Sequence, residues 1–131
     1  MSDLKISDMQ KMQYELWEKY KEKWSPLEPE FARNSLLWMF EEIGEVIAII
    51  KKRGENEIMS DSDLRKEFVE ELADVLMYFN DVFMRYNVSP EEISDAYIKK
   101  HNKNMGRDFN TEHSNYLKHD YPKSILNTIN L

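Results

Sequence analysis

Six carboxylates stand among apolar side chains in this chain. Glu41, Glu42 and Glu45 interrupt the apolar run over residues 36–50, and Glu70, Glu71 and Asp74 interrupt a second run over residues 68–83. On a helix turning ~100° per residue, Glu45 points ~60° from Glu42 and ~40° from Glu41, and Asp74 stands in the same relation to Glu71 and Glu70. Each segment thus gathers its acids into one narrow patch. In the second, Glu67, Glu71, Asp74, Tyr78 and Asp81 form a continuous stripe. If the patches face each other, like charges in a partly enclosed space must take up protons, push the helices apart, or bind a cation. All-oxygen donors suit a hard divalent ion, Mg²⁺ or alternatively Mn²⁺. Side chains on facing bundle helices commonly build such sites. A single Glu-x-x-Glu is ordinary on a solvated helix; two such patches, each inside an apolar run, point to a site.

A cationic counterpart follows later in the chain. Lys100, Lys103 and Asn104 share one helical face, and Arg107 joins them if the helix continues past Gly106. Ammonium, amide and guanidinium groups suit phosphate oxygens. The plainer explanation is a basic helix C-terminus complementing the helix dipole. Beside an acidic metal site, the combination points to a metal-bound polyphosphate. Trp38, Phe31 and Tyr78 are the aromatics available to stack on a base, Tyr78 best of the three because it lies one turn beyond Asp74. A di-iron site would require Glu-x-x-His. His101, His113 and His119 follow Ile98, Asn110 and Tyr116 at that spacing, so iron chemistry is not expected.

The elements that must carry these groups read as helices. With three glycines and four prolines in 131 residues, turns are scarce. A first helix is predicted over residues 7–24, from Met9, Met12, Leu16, Tyr20 and Trp24, with Pro26 and Pro29 stopping it. A second, over 31–53, is apolar nearly all round and should belong to a core or an interface. Gly54 ends it, and residues 55–60 read as a polar loop. A third runs over 62–86. Ser89-Pro90-Glu91-Glu92 opens a fourth, with Ser89 as N-cap and Pro90 in the first helical position. Residues 116–131 read as a docked tail or short helix. The expectation is one all-α, four-helix-bundle-like domain over residues 1–131, with its core at 31–107 and a C-terminal tail at 108–131.

Composition excludes other classes. With 25 acidic and 18 basic residues the net charge is −7, unsuited to a nucleic-acid polymer. Without cysteine there is no disulfide framework, thiolate nucleophile or cysteine-based zinc site. No apolar run is long enough for a membrane span, and the first eight residues lack the pattern of a signal peptide. A cytoplasmic protein is expected.

The pattern Glu41-Glu42-Ile-Gly-Glu45 followed by Glu71-Leu-Ala-Asp74 resembles the Glu-Glu-x-x-Glu … Glu-x-x-Asp signature of MazG-like, all-α nucleoside triphosphate pyrophosphohydrolases. This superfamily includes dimeric dUTPases, dCTP pyrophosphatases and phosphoribosyl-ATP pyrophosphohydrolases. Phe31-Ala-Arg33-Asn34 and Asp74-Val-Leu-Met-Tyr78 resemble the dCTP pyrophosphatase branch, and Lys100-x-x-x-Asn104 resembles the late phosphate-contact element. The likeness spans roughly residues 31–107. It implies that Glu42, Glu45, Glu71 and Asp74 hold Mg²⁺ and that Glu41 is an outer ligand or water-orienting base. It also implies that Lys100 and Asn104 contact phosphate; Lys103 and Arg107 from the cationic face, the aromatics Trp38 and Tyr78, and Asn34 complete the expected substrate site. The implied reaction converts a (deoxy)nucleoside triphosphate to monophosphate and pyrophosphate, for house-cleaning or nucleotide-pool control, in a homodimer or homotetramer. Ile49-Ile50-Lys51-Lys52 replaces an aromatic expected in the dCTP branch, so a cytosine preference does not carry over. The rival expectations are a non-enzymatic helical interaction protein and a superfamily member acting on another substrate, such as phosphoribosyl-ATP.

Overall fold

The computed structural model describes residues 2–118, and among them all regular structure is helical. The helices are α1 (Ile6–Tyr20), α2 (Ala32–Arg53), α3 (Glu55–Ser60), α4 (Ser62–Arg85), α5 (Pro90–Met105) and α6 (Phe109–Lys118), with a 3-10 turn at Pro29–Phe31. One compact unit ends at Ile93 and a second begins at Ser94. The first holds α1 to α4. The second holds most of α5 together with α6. The expected tail falls partly on α6, and residues 119–131, His119 included, lie outside the described residues. No helix among the described residues is long and apolar enough to cross a membrane.

The first unit is built around the pairing of α2 with α4, and α1, α3 and the 3-10 turn also pack on α4. Two side-chain contacts fix the direction of the pair. Ser35, early in α2, bonds Asp81, late in α4, whereas Glu42, later in α2, brings a carboxylate oxygen within 4.8 Å of one on Glu71, earlier in α4. The helices therefore run antiparallel. Local chemistry sets their ends. The Asp61 carboxylate accepts from the backbone N–H groups of Asp63 and Leu64, both at 3.0 Å, and so caps α4. Beyond Arg85, Asn87 adopts φ 55°, and the N–H of Val88 reaches back to the carbonyl of Phe83 at 2.7 Å. That is the left-handed stop open to Asn. Ser89 accepts from the N–H of Glu92 at 3.0 Å, the cap predicted for the next helix.

Two expectations need correction. The first helix ends at Tyr20, four residues short of Trp24. The indole N–H of Trp17 donates to the Ser25 carbonyl at 2.9 Å, holding the departing chain against the helix end. Residues Glu55–Ser60 form the short helix α3. Its only buried side chain is Ile58, too little for a periodic signal in a polar stretch. Gly54 makes the junction possible: at φ 79° and ψ 162° it occupies backbone space that side-chain-bearing residues avoid.

Few apolar side chains are buried among the described residues: Ala32, Met39, Ile58 and Leu64. Along α2, by contrast, Leu37, Phe40 and Ile47 expose 62%, 66% and 49% of their surface. Along α4, Val69, Leu72, Leu76 and Phe79 form a second exposed stripe at helical spacing. Gly44 lies in the first stripe between Phe40 and Ile47, with open space where its side chain would be.

Candidate metal centre

The antiparallel pairing of α2 and α4 brings Glu42, Glu71 and Asp74 together. Each offers a carboxylate oxygen, and these atoms all lie within 4.8 Å of one another. All three residues are half-buried. Glu42 and Glu71 face each other across the seam with Asp74 beside them, so groups that are normally anionic stand close together. Burial, the facing Glu42 carboxyl and the charges of Asp74 and Glu45 together hold the Glu71 carboxyl above the usual glutamate range. The helices have thus concentrated negative charge at one point of their seam. Three carboxylates at this spacing are a donor set that can hold a hard divalent cation.

A cavity of about 330 Å³ opens beside the cluster. Glu42 and Asp74 line it at one end, and Ser35, Asp81 and Arg85 line it at the other. Between them stand Trp38 and Tyr78, ring centroids 6.3 Å apart and planes inclined at 53°. Burial, followed by the charges of Glu42, Asp74, Asp81 and Glu41, raises the Tyr78 phenol, so at neutral pH its hydroxyl keeps its proton and can donate. Lys23 and Trp24, from the segment after α1, also line the cavity.

The far end is a buried polar network. Ser35, Asp81 and Arg85 retain only 2%, 5% and 5% of their exposure. The Ser35 hydroxyl donates to Asp81 Oδ2, and Arg85 Nε donates to the same oxygen at 2.7 Å. Arg85 Nη1 donates to the carbonyl of Pro26 at 2.7 Å. The guanidinium therefore ties the segment that carries Lys23 and Trp24 to α4. Breaking a buried pair of this kind costs roughly 3–5 kcal/mol, because the surviving charge is left without a partner.

The sequence-predicted residues divide accordingly. Glu42, Glu71 and Asp74 converge, and Trp38 and Tyr78 line the adjoining cavity. Glu45 is exposed and stands outside the three-carboxylate group, although its charge acts on Glu71. Glu41 is exposed, but its charge reaches Tyr78. Asn34 is exposed and does not line the cavity; its neighbour Ser35 does. Lys100, Lys103, Asn104 and Arg107 are exposed residues of the second unit. Arg107 lies beyond the end of α5, where it bonds Glu112 at 2.6 Å and Asn104 at 3.2 Å. His101 and His113 are exposed, and the acidic group contains no histidine. Sequence reasoning missed Lys23, Trp24, Ser35 and Arg85. Asp81 was visible as the end of the acidic stripe, and Arg85, one turn further on, was the available signal for its partner.

Comparison with protein-family profiles, curated proteins and solved structures returns no match.

A carboxyl raised by the fold favours the folded state while protonated. Its contribution is complete below the ordinary glutamate range and is lost as pH rises through the raised value. The metal-free protein should therefore lose stability from this group as pH climbs above the ordinary glutamate range. In Glu71→Gln that component of the slope should vanish, and saturating Mg²⁺ should suppress it in the wild type. Thermal unfolding across this range measures both effects. An identical pH slope in the wild type and Glu71→Gln would contradict the assignment.

Proposed function

We propose that the chain is a Mg²⁺-dependent nucleotide pyrophosphohydrolase of the MazG-like type. The observation that carries this reading is the convergence of Glu42, Glu71 and Asp74 at the mouth of an aromatic-walled cavity. A cluster alone would serve any cation. A cluster beside a cavity with Trp38, Tyr78 and a buried polar floor suits a ligand with an anionic end and a flat, hydrogen-bonding end. The order and spacing of the two acidic motifs support the same reading.

In this proposal Glu42, Glu71 and Asp74 hold the ion, with Glu45 adding charge from α2 and Mn²⁺ as the substitute metal. Mg²⁺ would neutralise phosphate charge and make water more acidic. Water oxygen forms a bond to the α-phosphorus of a ribo- or deoxyribonucleoside triphosphate as the α–β bridging bond breaks. Pyrophosphate leaves with that electron pair. Glu41 orients the water and accepts its proton. Trp38 offers a face to the base, and the Tyr78 hydroxyl donates a hydrogen bond to the substrate. Lys100, Lys103, Asn104 and Arg107 are the proposed phosphate contacts, and Asn34 a peripheral one. The role is control or cleaning of the nucleotide pool.

The test is pyrophosphate release from a panel of canonical and modified nucleotides, with phosphoribosyl-ATP included. Wild type with Mg²⁺ should turn over at least one, and Asp74→Asn and Glu42→Gln should each lower kcat by about 100-fold or more while helicity is kept. Folded wild-type protein that hydrolyses nothing in the panel would refute the reading. Full activity in either variant would refute the site.

The exposed stripes on α2 and α4 support a homodimer or homotetramer, since monomeric proteins rarely leave long contiguous apolar ridges in water. Self-association would cover Leu37, Phe40 and Ile47, with Gly44 letting a second backbone come close. Sedimentation velocity at micromolar concentration should show a species at least twice the 15.8 kDa chain mass. A single monomeric boundary would exclude this assembly. The same ridges favour the rival reading of a helical interaction protein, which predicts no stabilisation by Mg²⁺.

A further inference from the structure

The cavity has two chemically distinct ends, and the proposed hydrolysis uses only one. Asp81 lies seven residues beyond Asp74 on α4, about 10 Å along the axis at 1.5 Å per residue. A nucleotide can bridge such a separation from phosphate to base edge. Asp81 is the anion of the far end. Ser35 and Arg85 both donate to its Oδ2, and Oδ1 takes part in neither bond. Charge-assisted contact with Arg85 fixes the carboxylate in place, and Arg85 is itself anchored on the Pro26 carbonyl. A carboxylate held this way presents an acceptor to whatever fills the cavity, and it can donate nothing in return.

We propose that Asp81 is the specificity-determining residue of this cavity, accepting a hydrogen bond from the exocyclic amino group of a nucleobase. Cytosine and adenine present an amino group where uracil and hypoxanthine present an oxo group. The amino group satisfies the carboxylate. The oxo group sets one acceptor against another and leaves both without a donor. Trp38 and Tyr78 serve every base alike, since stacking is indifferent to the substituent. Discrimination therefore falls on the polar end. The inference rests on the nucleotide reading above and adds which bases the site accepts.

The pairs cytidine/uridine and adenosine/inosine isolate this contact. Binding of the four nucleosides to the folded wild-type protein, followed by calorimetry or thermal shift, probes the cavity without hydrolysis. The amino member of each pair should bind about 10- to 100-fold tighter. The kcat/KM ratios for CTP over UTP and ATP over ITP should show the same preference. In Asp81→Asn, whose amide can offer either a donor or an acceptor, both ratios should fall towards one. Because a ratio does not depend on the active fraction, partial loss of folded protein leaves this reading intact. If Asp81→Asn does not fold, the wild-type nucleoside pairs decide alone. Equal binding within both pairs, or no nucleoside binding, would overturn the proposal. An amino preference in binding with no turnover would support it and remove only the hydrolase reading. Turnover without an amino preference would do the reverse.

Discussion

The organising constraint of this protein is the repulsion among three carboxylates that two antiparallel helices hold within 4.8 Å of one another. Such a cluster does not assemble for stability's sake. Each carboxylate loses part of its hydration and gains anionic neighbours, and the Glu71 carboxyl is held above its usual range, so that it takes up a proton more readily. A proton is a weak answer at neutral pH, whereas a divalent cation is a strong one. Seen this way, the net charge of −7 is partly a property of the metal-free chain. Two bound divalent ions would bring it to −7 + 4 = −3.

The same seam explains the unusual distribution of apolar surface. In most helical pairs the apolar stripes face each other and the charges face water. Here α2 and α4 place Ser35, Glu42, Glu71, Asp74 and Asp81 along their shared seam. Leu37, Phe40, Val69 and Leu72 point away from it. Polar groups on the inside must be held by specific bonds, which is the task of the Ser35–Asp81–Arg85 network. Apolar groups on the outside need a second surface. Chemistry at the seam and association through the ridges thus become two consequences of one arrangement.

Helical content was legible because it depends on local signals: scarce glycine and proline, long apolar periodicity and a strong cap at Ser89. The acidic site was legible in part for the same reason, since three- and four-residue spacing converts directly into a shared helical face. Spacing narrowed the candidates to six acids, and the resemblance to Glu42, Glu45, Glu71 and Asp74. Glu45 could not be separated from the other three, because only the register decides which acid of each patch reaches across. α3 was hidden because Ile58 is a lone anchor in a polar stretch, and its burial is a tertiary fact. The Asp81–Arg85 pair was hidden because an i,i+4 ion pair looks the same in sequence whether solvated or buried. The segment carrying Lys23 and Trp24 is held by Trp17 on the Ser25 carbonyl and by Arg85 on the Pro26 carbonyl, the second a contact between residues 59 positions apart.

The central claim is that the three carboxylates form a cation site. The most direct measurement is diffraction at the manganese absorption edge from crystals grown with Mn²⁺. The account predicts an anomalous peak with oxygens of Glu42, Glu71 and Asp74 at roughly 2.0–2.2 Å. An ordered cluster with no peak, or a peak bound only elsewhere on the chain, would contradict it.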